Sequence, residues 1–401
     1  MVRPRVTGIV AALPMKLMHT KMLHKRIKLF GIFIALLASS ILFLNVGILH
    51  WRRPVLSNLK NAQNRSFCHS LEVFNVTKRI TTAYKTIPDE SLHKSSNGSD
   101  VNDSRTEQNT WTELPYPLDI DTVEVVRKLR SGLYVEYRPI FPYPYQFTYH
   151  HVCTQRSSLF IFLIKSATKN YESRMAIRET WANKDLMKKH DFIRMFLLGT
   201  DKSEMYLSAM KSEYDLYKDM LLMSFQDDYF NNTLKTTGAI HWTAKHCNRS
   251  KFVVFVDDDM LVSTERLVHF LKNKVNLSKY FGGFITNHRP YRDIKSKWYV
   301  SNKDYPYDVY PTMPSAGFMV MTMDYVIDLQ FAAQYTKKFI FDDCYLGILA
   351  YKLHVSPVHI DAVHVRRVAV SSSVFKTSMI ASHSYNPSLL KKTWRTLQTF
   401  T

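Results

Sequence analysis

The chain has 401 residues, 46% of them hydrophobic and 13% aromatic, which excludes both a minimal domain and a disordered chain. Its formal charge of +20 would suit a nucleic-acid binder. The distribution of the charge argues against one. Seven of the basic residues, Arg3, Arg5, Lys16, Lys21, Lys25, Arg26 and Lys28, precede position 29 with no acidic residue among them.

Leu29–Leu49, the next segment, is a run of 21 residues in which only Ser39, Ser40 and Asn45 are polar. At about 1.5 Å per residue it spans the ~30 Å hydrocarbon core of a bilayer. It is longer than the apolar part of a signal peptide, and no small-residue cleavage site follows. Trp51 and Arg52-Arg53 mark the far interface, and the Lys/Arg excess on the near side places the N-terminus in the cytoplasm. Residues 1–28 therefore read as a cytoplasmic tail, 29–49 as a transmembrane signal-anchor, 50–150 as a lumenal stem and 151–401 as the folded domain. A lumenal domain meets no nucleic acid.

The stem is rich in Ser, Asn, Thr and Lys and carries four Asn-X-Ser/Thr sequons, at Asn64, Asn75, Asn97 and Asn102. Three more follow at Asn231, Asn248 and Asn276. Behind a membrane anchor such a cluster predicts N-glycosylation. Of the four cysteines, Cys153 and Cys247 are favoured as a disulfide because both lie just outside predicted core strands. Cys68, in the stem, is a candidate for pairing between chains in a homodimer.

From residue 159 onward strands and helices alternate. Leu159–Ile164 is an uninterrupted apolar run, read as a buried parallel strand ending in Lys165. A helix is predicted over 174–189, a strand over 192–198, helices over 203–223 and 234–246, a strand over 251–256 and a helix over 263–274. This β-α-β-α-β order predicts a doubly wound α/β sheet. Beyond it, strands are expected over 280–285 and 318–322 and helices over 324–334 and 345–353, with Phe339-Ile-Phe341 as a further strand edge.

The strand Phe252–Val256 runs straight into Asp257, Asp258 and Asp259. Three adjacent carboxylates at a strand end are costly unless a cation neutralises them, and a hard divalent metal is the usual one. A second acidic pair, Asp342-Asp343, follows Phe341, and Arg174 and Arg178 lie just after the first strand. Two acidic sites with paired arginines suit a metal-held, phosphate-bearing donor and a separate carboxylate base. No Walker-type loop is present, which leaves a phosphoryl transferase without its phosphate cradle.

In order along the chain these segments resemble glycosyltransferase family 31, the β1,3-galactosyltransferases and β1,3-N-acetylglucosaminyltransferases. Arg174-Met-Ala-Ile-Arg178-Glu-Thr180-Trp181 resembles that family's Arg-x-x-Ile-Arg-x-Thr-Trp motif. Phe196-Leu-Leu-Gly199, the segment Asp227–Thr236, the Asp257-Asp-Asp259 triplet, Lys297-Trp298, Ser315-Ala-Gly317, Asp342-Asp343-Cys344-Tyr345-Leu346-Gly347 and His383-Ser-Tyr-Asn-Pro387 follow in the family's order. Asp342 stands where Glu is usual, and Pro314-Ser-Ala-Gly-Phe318 replaces a glycine-rich Cys-Ser-Gly-Gly-Gly. Both forms are closer to the Brainiac-like branch, which acts on glycolipids.

The resemblance implies a GT-A fold, a UDP-sugar donor, Mn²⁺ or Mg²⁺, an acceptor glycan on a glycolipid or glycoprotein, and inversion at the anomeric carbon. It implies a Golgi membrane enzyme of single-pass type II topology, most readily a β1,3-galactosyltransferase. A β1,3-N-acetylglucosaminyl- or N-acetylgalactosaminyltransferase is the alternative, and an inactive glycan-binding relative the non-enzymatic one. It assigns Asp343 as catalytic base, and Asp259 and His383 as metal ligands, with His359 and His364 as the alternatives to His383. Asp257, Asp258, Arg178, Arg174 and Lys165 fall to the nucleotide-sugar, and Trp298, Gly317 and Asp342 to the acceptor or donor pocket.

Overall fold

The computed structural model describes residues 121–141, 147–148, 153, 157–286 and 288–398. All belong to one compact unit within residues 77–401. The tail, the apolar run Leu29–Leu49, Cys68 and the sequons at Asn64, Asn75, Asn97 and Asn102 lie outside the described residues. Among the described residues no helix is long and apolar enough to cross a membrane.

A mixed eight-stranded sheet in the order β1-β4-β3-β2-β5-β8-β7-β9 forms the centre. Its parallel heart is β2 (Phe160–Lys165), β3 (Phe192–Thr200), β4 (Met220–Gln226) and β5 (Phe252–Asp257). β8 (Met313–Thr322) runs antiparallel beside β5, with β7 (Phe281–Thr286) and β9 (Val358–His359) beyond it. β1 (Phe147–Thr148) closes the other edge against β4. The β2 side chains are all buried, the mark of a strand covered on both faces.

Period-two alternation decides which side chain meets which layer. Ile161, Leu163, Val253 and Phe255 pack with Ile240, Trp242, Tyr325 and Leu346 from the helices Asn232–His246, Met323–Gln334 and Asp342–Lys352. Phe160, Phe162, Ile164, Val254 and Val256 pack on the opposite face with Ile177, Leu267 and Leu390, from Tyr171–Glu179, Thr264–Lys272 and Pro387–Gln398. By the same parity Lys165 and Asp257 share the first face.

Three elements differ from expectation. The single helix over 174–189 is two, Tyr171–Glu179 and Lys184–His190. They are separated where Trp181 turns inward, fully buried, to donate its indole N–H to the Met260 carbonyl. The helix over 203–223 ends at Tyr217, because Lys218 takes the left-handed conformation at φ 53° and turns the chain into strand β4. The pair Asp342-Asp343 does not flank a strand; both residues open the helix Asp342–Lys352. Part of the expected stem also packs on the domain: Arg130 of the helix Thr122–Arg130 pairs with Asp328, and Phe141 donates its backbone N–H to Gln334. The Cys153–Cys247 disulfide is present as expected, and Asn248 and Asn276 are exposed.

Arg174 and Arg178 do not face a ligand. They form a buried ion network in which Arg174 pairs with Glu213 at 2.7 Å and Arg178 with Glu213 at 2.8 Å and Asp219 at 2.7 Å. Arg194, on the helix-facing side of β3, joins at Asp219. Arg178 also stacks over Tyr217, 4.0 Å from the ring centroid. Burial works against ionisation of Asp219, but Arg178 and Arg194 outweigh it and hold the carboxyl at about 2. That stabilisation is fully present above the ordinary value of 3.8 and is lost as pH falls through about 2. The two arginines assigned from sequence to the nucleotide are thus scaffold, since full burial between carboxylates leaves them no path to a phosphate. Arg178→Met should cost about 3–5 kcal/mol by stranding Glu213 and Asp219, measured by urea unfolding. A folded variant that had instead lost UDP affinity would return Arg178 to the donor site.

Candidate active site

The site forms at the carboxyl ends of β2 and β5, where Lys165 and Asp257 are register neighbours. The Lys165 ammonium meets Asp257 Oδ1 at 3.0 Å, Asp342 Oδ2 at 2.9 Å and the Ala316 carbonyl at 3.1 Å. An ammonium has three donors, so this set is full. Burial opposes the charge on Lys165, yet Asp257 and Asp342 hold its pKa well above the ordinary lysine value. Asp342 also accepts from Thr236 Oγ1 at 2.8 Å. Burial would raise the Asp342 carboxyl, but Lys165 outweighs it and the group is held below its usual range. Lys165, expected at the nucleotide, is instead a tie between the two acidic segments.

Asp258 points the other way. It accepts from Ser166 Oγ at 2.6 Å and Asn170 Nδ2 at 3.0 Å, and burial pushes its carboxyl up to about 6. Arg174 braces the same loop by donating to the Ala167 carbonyl at 2.6 Å and to Ser166 Oγ at 3.1 Å. Lys235 Nζ braces it from below, reaching the Ser166 carbonyl at 2.6 Å and Asp227 at 2.7 Å.

His383 is delivered by a small second sheet. β6 (Leu261–Val262), immediately after the triplet, pairs antiparallel with β11 (Ala381–Ser382), immediately before His383, and β10 (Val363–His364) flanks β11. Asp259 Oδ2 and His383 Nε2 lie 3.1 Å apart, and the Tyr385 N–H bonds the Asp259 carbonyl at 2.8 Å. The hydrogen bond to Asp259 raises the His383 pKa despite partial burial. Asp257, Asp259 and His383 each present one ligand atom within 4.8 Å of the others. Two carboxylates and an imidazole form a donor set that fits a divalent ion such as Mn²⁺. Asp257 thereby joins the candidate ligands, beyond its expected role at the nucleotide. His359 and His364 are not in that group: His359 Nδ1 accepts from the Ile285 N–H, and His364 meets His383 through its backbone carbonyl, which accepts from the His383 N–H.

Two cavities meet at Lys165 and Asp257. One, of about 500 Å³, is lined by the triplet, His383 and the Ser166–Asn170 loop. The other, of about 330 Å³, is lined by Asp342, Asp343, Trp298, Tyr291 and Tyr310. Burial, and then Asp342 beside it, raise the Asp343 carboxyl above its usual range, while the Cys344 N–H bonds its Oδ1 at 2.8 Å. Tyr229 and Asn232, given no role from sequence, line both cavities. Tyr229 OH accepts from Trp298 Nε1 at 3.1 Å. Tyr229 and Asn232 both lie in the Asp227–Thr236 segment, whose resemblance to the family motif is the signal for them in the sequence. Of the remaining sequons, Asn231 uses its amide to bond the Gln226 carbonyl at 2.9 Å, beside these cavities.

Residues 172–361 match the family model described as Galactosyltransferase. The chain is 37% identical over 237 residues to a Drosophila melanogaster β1,3-galactosyltransferase, brn, covering 58% of this chain and 72% of that one. The chain belongs to the galactosyltransferase family. It is a UDP-sugar-dependent β1,3-glycosyltransferase. A rat UDP-GalNAc:β1,3-N-acetylgalactosaminyltransferase is 27% identical over 70% of this chain and 87% of its own length. Mouse β1,3-galactosyltransferase 1 is 27% identical over 67% of this chain and 84% of its own. A solved structure titled galactosyltransferase LgtC is similar at TM-score 0.30 and 9% identity, covering 57% of this chain and 87% of that one, too slight a likeness to bear on the fold. Lys165 and His383 both fall outside the matched 172–361 segment.

Gly317 stands beside the Asp257–Asp259–His383 group. A Cβ there would stand 3.9 Å from both Asp257 Oδ2 and His383 Cδ2 and 3.6 Å from Met260 Sδ, ordinary contact distances. Gly317→Ala should therefore keep most activity. Gly317→Leu should lose more than about tenfold in kcat/KM and in Mn²⁺ affinity with the melting temperature held, since the longer side chain must displace a ligand. Equal activity in the two variants would show that the wall at Gly317 does not confine the ligands.

Proposed function

We propose that this enzyme is an inverting β1,3-galactosyltransferase with a GT-A fold, moving galactose from UDP-galactose to the 3-hydroxyl of an acceptor glycan on a glycolipid or glycoprotein. The observation that carries this reading is the opposition of Asp343, on the wall of one cavity, to the Asp257–Asp259–His383 group in the other. An in-line displacement needs a base on one side of the anomeric carbon and charge neutralisation on the other.

Asp257, Asp259 and His383 would hold a divalent metal, Mn²⁺ in preference to Mg²⁺ because one donor is an imidazole. When bound, that ion supplies positive charge against the diphosphate of the leaving UDP. Asp343 takes the proton from the attacking 3-hydroxyl. Its raised pKa suits it to that task, because a carboxylate of ordinary pKa is a weaker base. Lys165 keeps Asp342 ionised and fixed, so that the neighbouring Asp343 receives the incoming proton. Trp298 and Tyr229 wall the acceptor side, offering amphipathic aromatic surface to a sugar.

We further place the enzyme in the Golgi membrane as a single-pass type II protein, with a stem beyond the apolar run Leu29–Leu49 and the catalytic domain in the lumen. The Cys153–Cys247 disulfide supports an oxidising compartment, and the exposed sequons Asn248 and Asn276 support a glycosylating one.

Asp343→Asn should lower kcat by about 10²–10⁴-fold and leave UDP affinity near wild type; wild-type turnover in that variant would remove Asp343 from the mechanism. The base works only when ionised, so kcat/KM should fall as pH drops through a value above the usual carboxylate range, and this acidic limb should disappear with Asp343. Donor identity is tested by supplying UDP-galactose, UDP-GlcNAc and UDP-GalNAc with a panel of glycolipid and glycoprotein acceptors. Galactose transfer is the expected product, and exclusive transfer of an N-acetylhexosamine would overturn the galactose assignment.

A further inference from the structure

We infer that Thr233 and Thr236 are positioning residues that hold the segment bearing Asp343, an inference that rests on the reading of Asp343 as the base. Both lie near the start of the helix Asn232–His246, in the Asp227–Thr236 segment that resembles the family motif. Three residues apart, they share one face of that helix. Thr233 Oγ1 donates to the Ile340 carbonyl at 3.1 Å, and Thr236 Oγ1 donates to Asp342 Oδ2 at 2.8 Å. Both threonines are buried. The two hydroxyls thus grip the chain on either side of Phe341, directly ahead of Asp343.

The helix Asp342–Lys352 is not capped by the residue before it, because Phe341 has no polar side-chain atom for the free N–H groups. Phe339 packs against Tyr305 and Tyr310, with ring centroids 5.8 Å and 5.7 Å away. Apolar packing of this kind is non-directional and sets the depth of the chain more than its rotation. The Cys344 N–H that bonds Asp343 belongs to the same helix and turns with it. Hydrogen bonds have direction, so the two from the threonines fix where the first turn begins and how it faces. Lys165 Nζ meets the same Asp342 Oδ2 at 2.9 Å. Lys165 neutralises that carboxylate, and Thr236 adds a second fixed direction. Between the threonines, Lys235 turns to the other side and bonds the Ser166 carbonyl and Asp227. One stretch of helix thereby ties the base segment of one cavity to the loop that walls the other. A base must lie within hydrogen-bond reach of the hydroxyl it deprotonates, and an error of about 1 Å can cost about a hundredfold in rate.

The test replaces each hydroxyl with a methyl group of similar shape in the purified full-length enzyme in detergent. It measures kcat and KM with UDP-galactose and the best acceptor of the panel above, and UDP affinity by calorimetry with Mn²⁺ present. Thr236→Val should lower kcat about tenfold, and Thr233→Val about threefold, with UDP affinity within about twofold of wild type. Thr236→Ser keeps the hydroxyl and should recover most of the lost kcat. A role in packing alone would reverse that order, since serine leaves a cavity that valine fills. Asp343→Asn removes the group being positioned, so Thr236→Val should cost no further kcat in that background. Equal losses in both backgrounds, wild-type kcat in Thr236→Val, or a serine variant slower than the valine one would overturn the inference and leave Asp343 as the base. Wild-type turnover in Asp343→Asn alone would overturn the base reading itself.

Discussion

The buried ammonium of Lys165 is the interaction on which the active site depends. It is contributed by the last residue of β2, and strand parity puts it on the face shared by Asp257 and by the helix Asp342–Lys352. Without a cation there, Asp257 and Asp342 would face one another in a low-dielectric interior, where one of them would have to take up a proton. With it, the triplet and the Asp342-Asp343 pair are held in a single electrostatic unit, although Asp257 and Asp342 lie far apart in the chain. The same saturation of its three donors removes Lys165 from direct phosphate binding, so a lysine at the centre of the site is there to position carboxylates.

A second ion network does the equivalent work one layer down. Arg174, Arg178 and Arg194 meet Glu213 and Asp219 on the opposite face of the sheet. Burying five charges carries a large desolvation cost, offset only because every partner is hydrogen-bonded. What the arrangement secures is position. It ties β3, β4 and two helices to the loop that holds Asp258, while Trp181 fastens the chain to the carbonyl of Met260 just past the triplet. The Arg-x-x-Ile-Arg-x-Thr-Trp segment that identified the family is therefore a frame around the chemistry. A motif shows that residues are needed together; burial and partners show what each is needed for.

The elements legible in the sequence were those whose pattern had one solution. β2 and β5 are nearly continuous apolar runs of strand length, β3 is interrupted by Arg194, and the expected ends of all three lie within two residues of the observed ones. β4 is not legible because Met220–Met223 is too short an apolar run for periodicity to separate it from the helix before it, and the deciding event is a single left-handed residue, Lys218. The acidic pair was seen, but its place at a helix start depends on the packing of Phe341 and Tyr345, which no local pattern reports. For the site, the triplet and Asp343 were legible because unpaired carboxylates near apolar runs demand an explanation. His383 reaches Asp259 only through the pairing of β6 with β11, a contact across more than a hundred residues, and the family resemblance alone pointed to it. Tyr229 and Asn232 lie in the Asp227–Thr236 segment that resembles the family, but their place on the walls of both cavities depends on long-range packing that no local pattern reports.

The departure at Pro314–Phe318 from the family's glycine-rich form is explained by the same geometry. Ala316 serves Lys165 through its backbone carbonyl, so a methyl group in place of a hydrogen leaves that contact intact. Gly317, next along β8, faces Asp257 and His383 with nothing but its α-hydrogens, and there the glycine is kept. One position is read by its backbone and the other by its lack of a side chain. A segment can therefore differ from the family pattern while the Asp257–Asp259–His383 group and the buried lysine beside it keep their places. Ser315 and Ala316 both line the smaller cavity, so a change of side chain there reshapes its wall while the contact to Lys165, made through the Ala316 carbonyl, is kept.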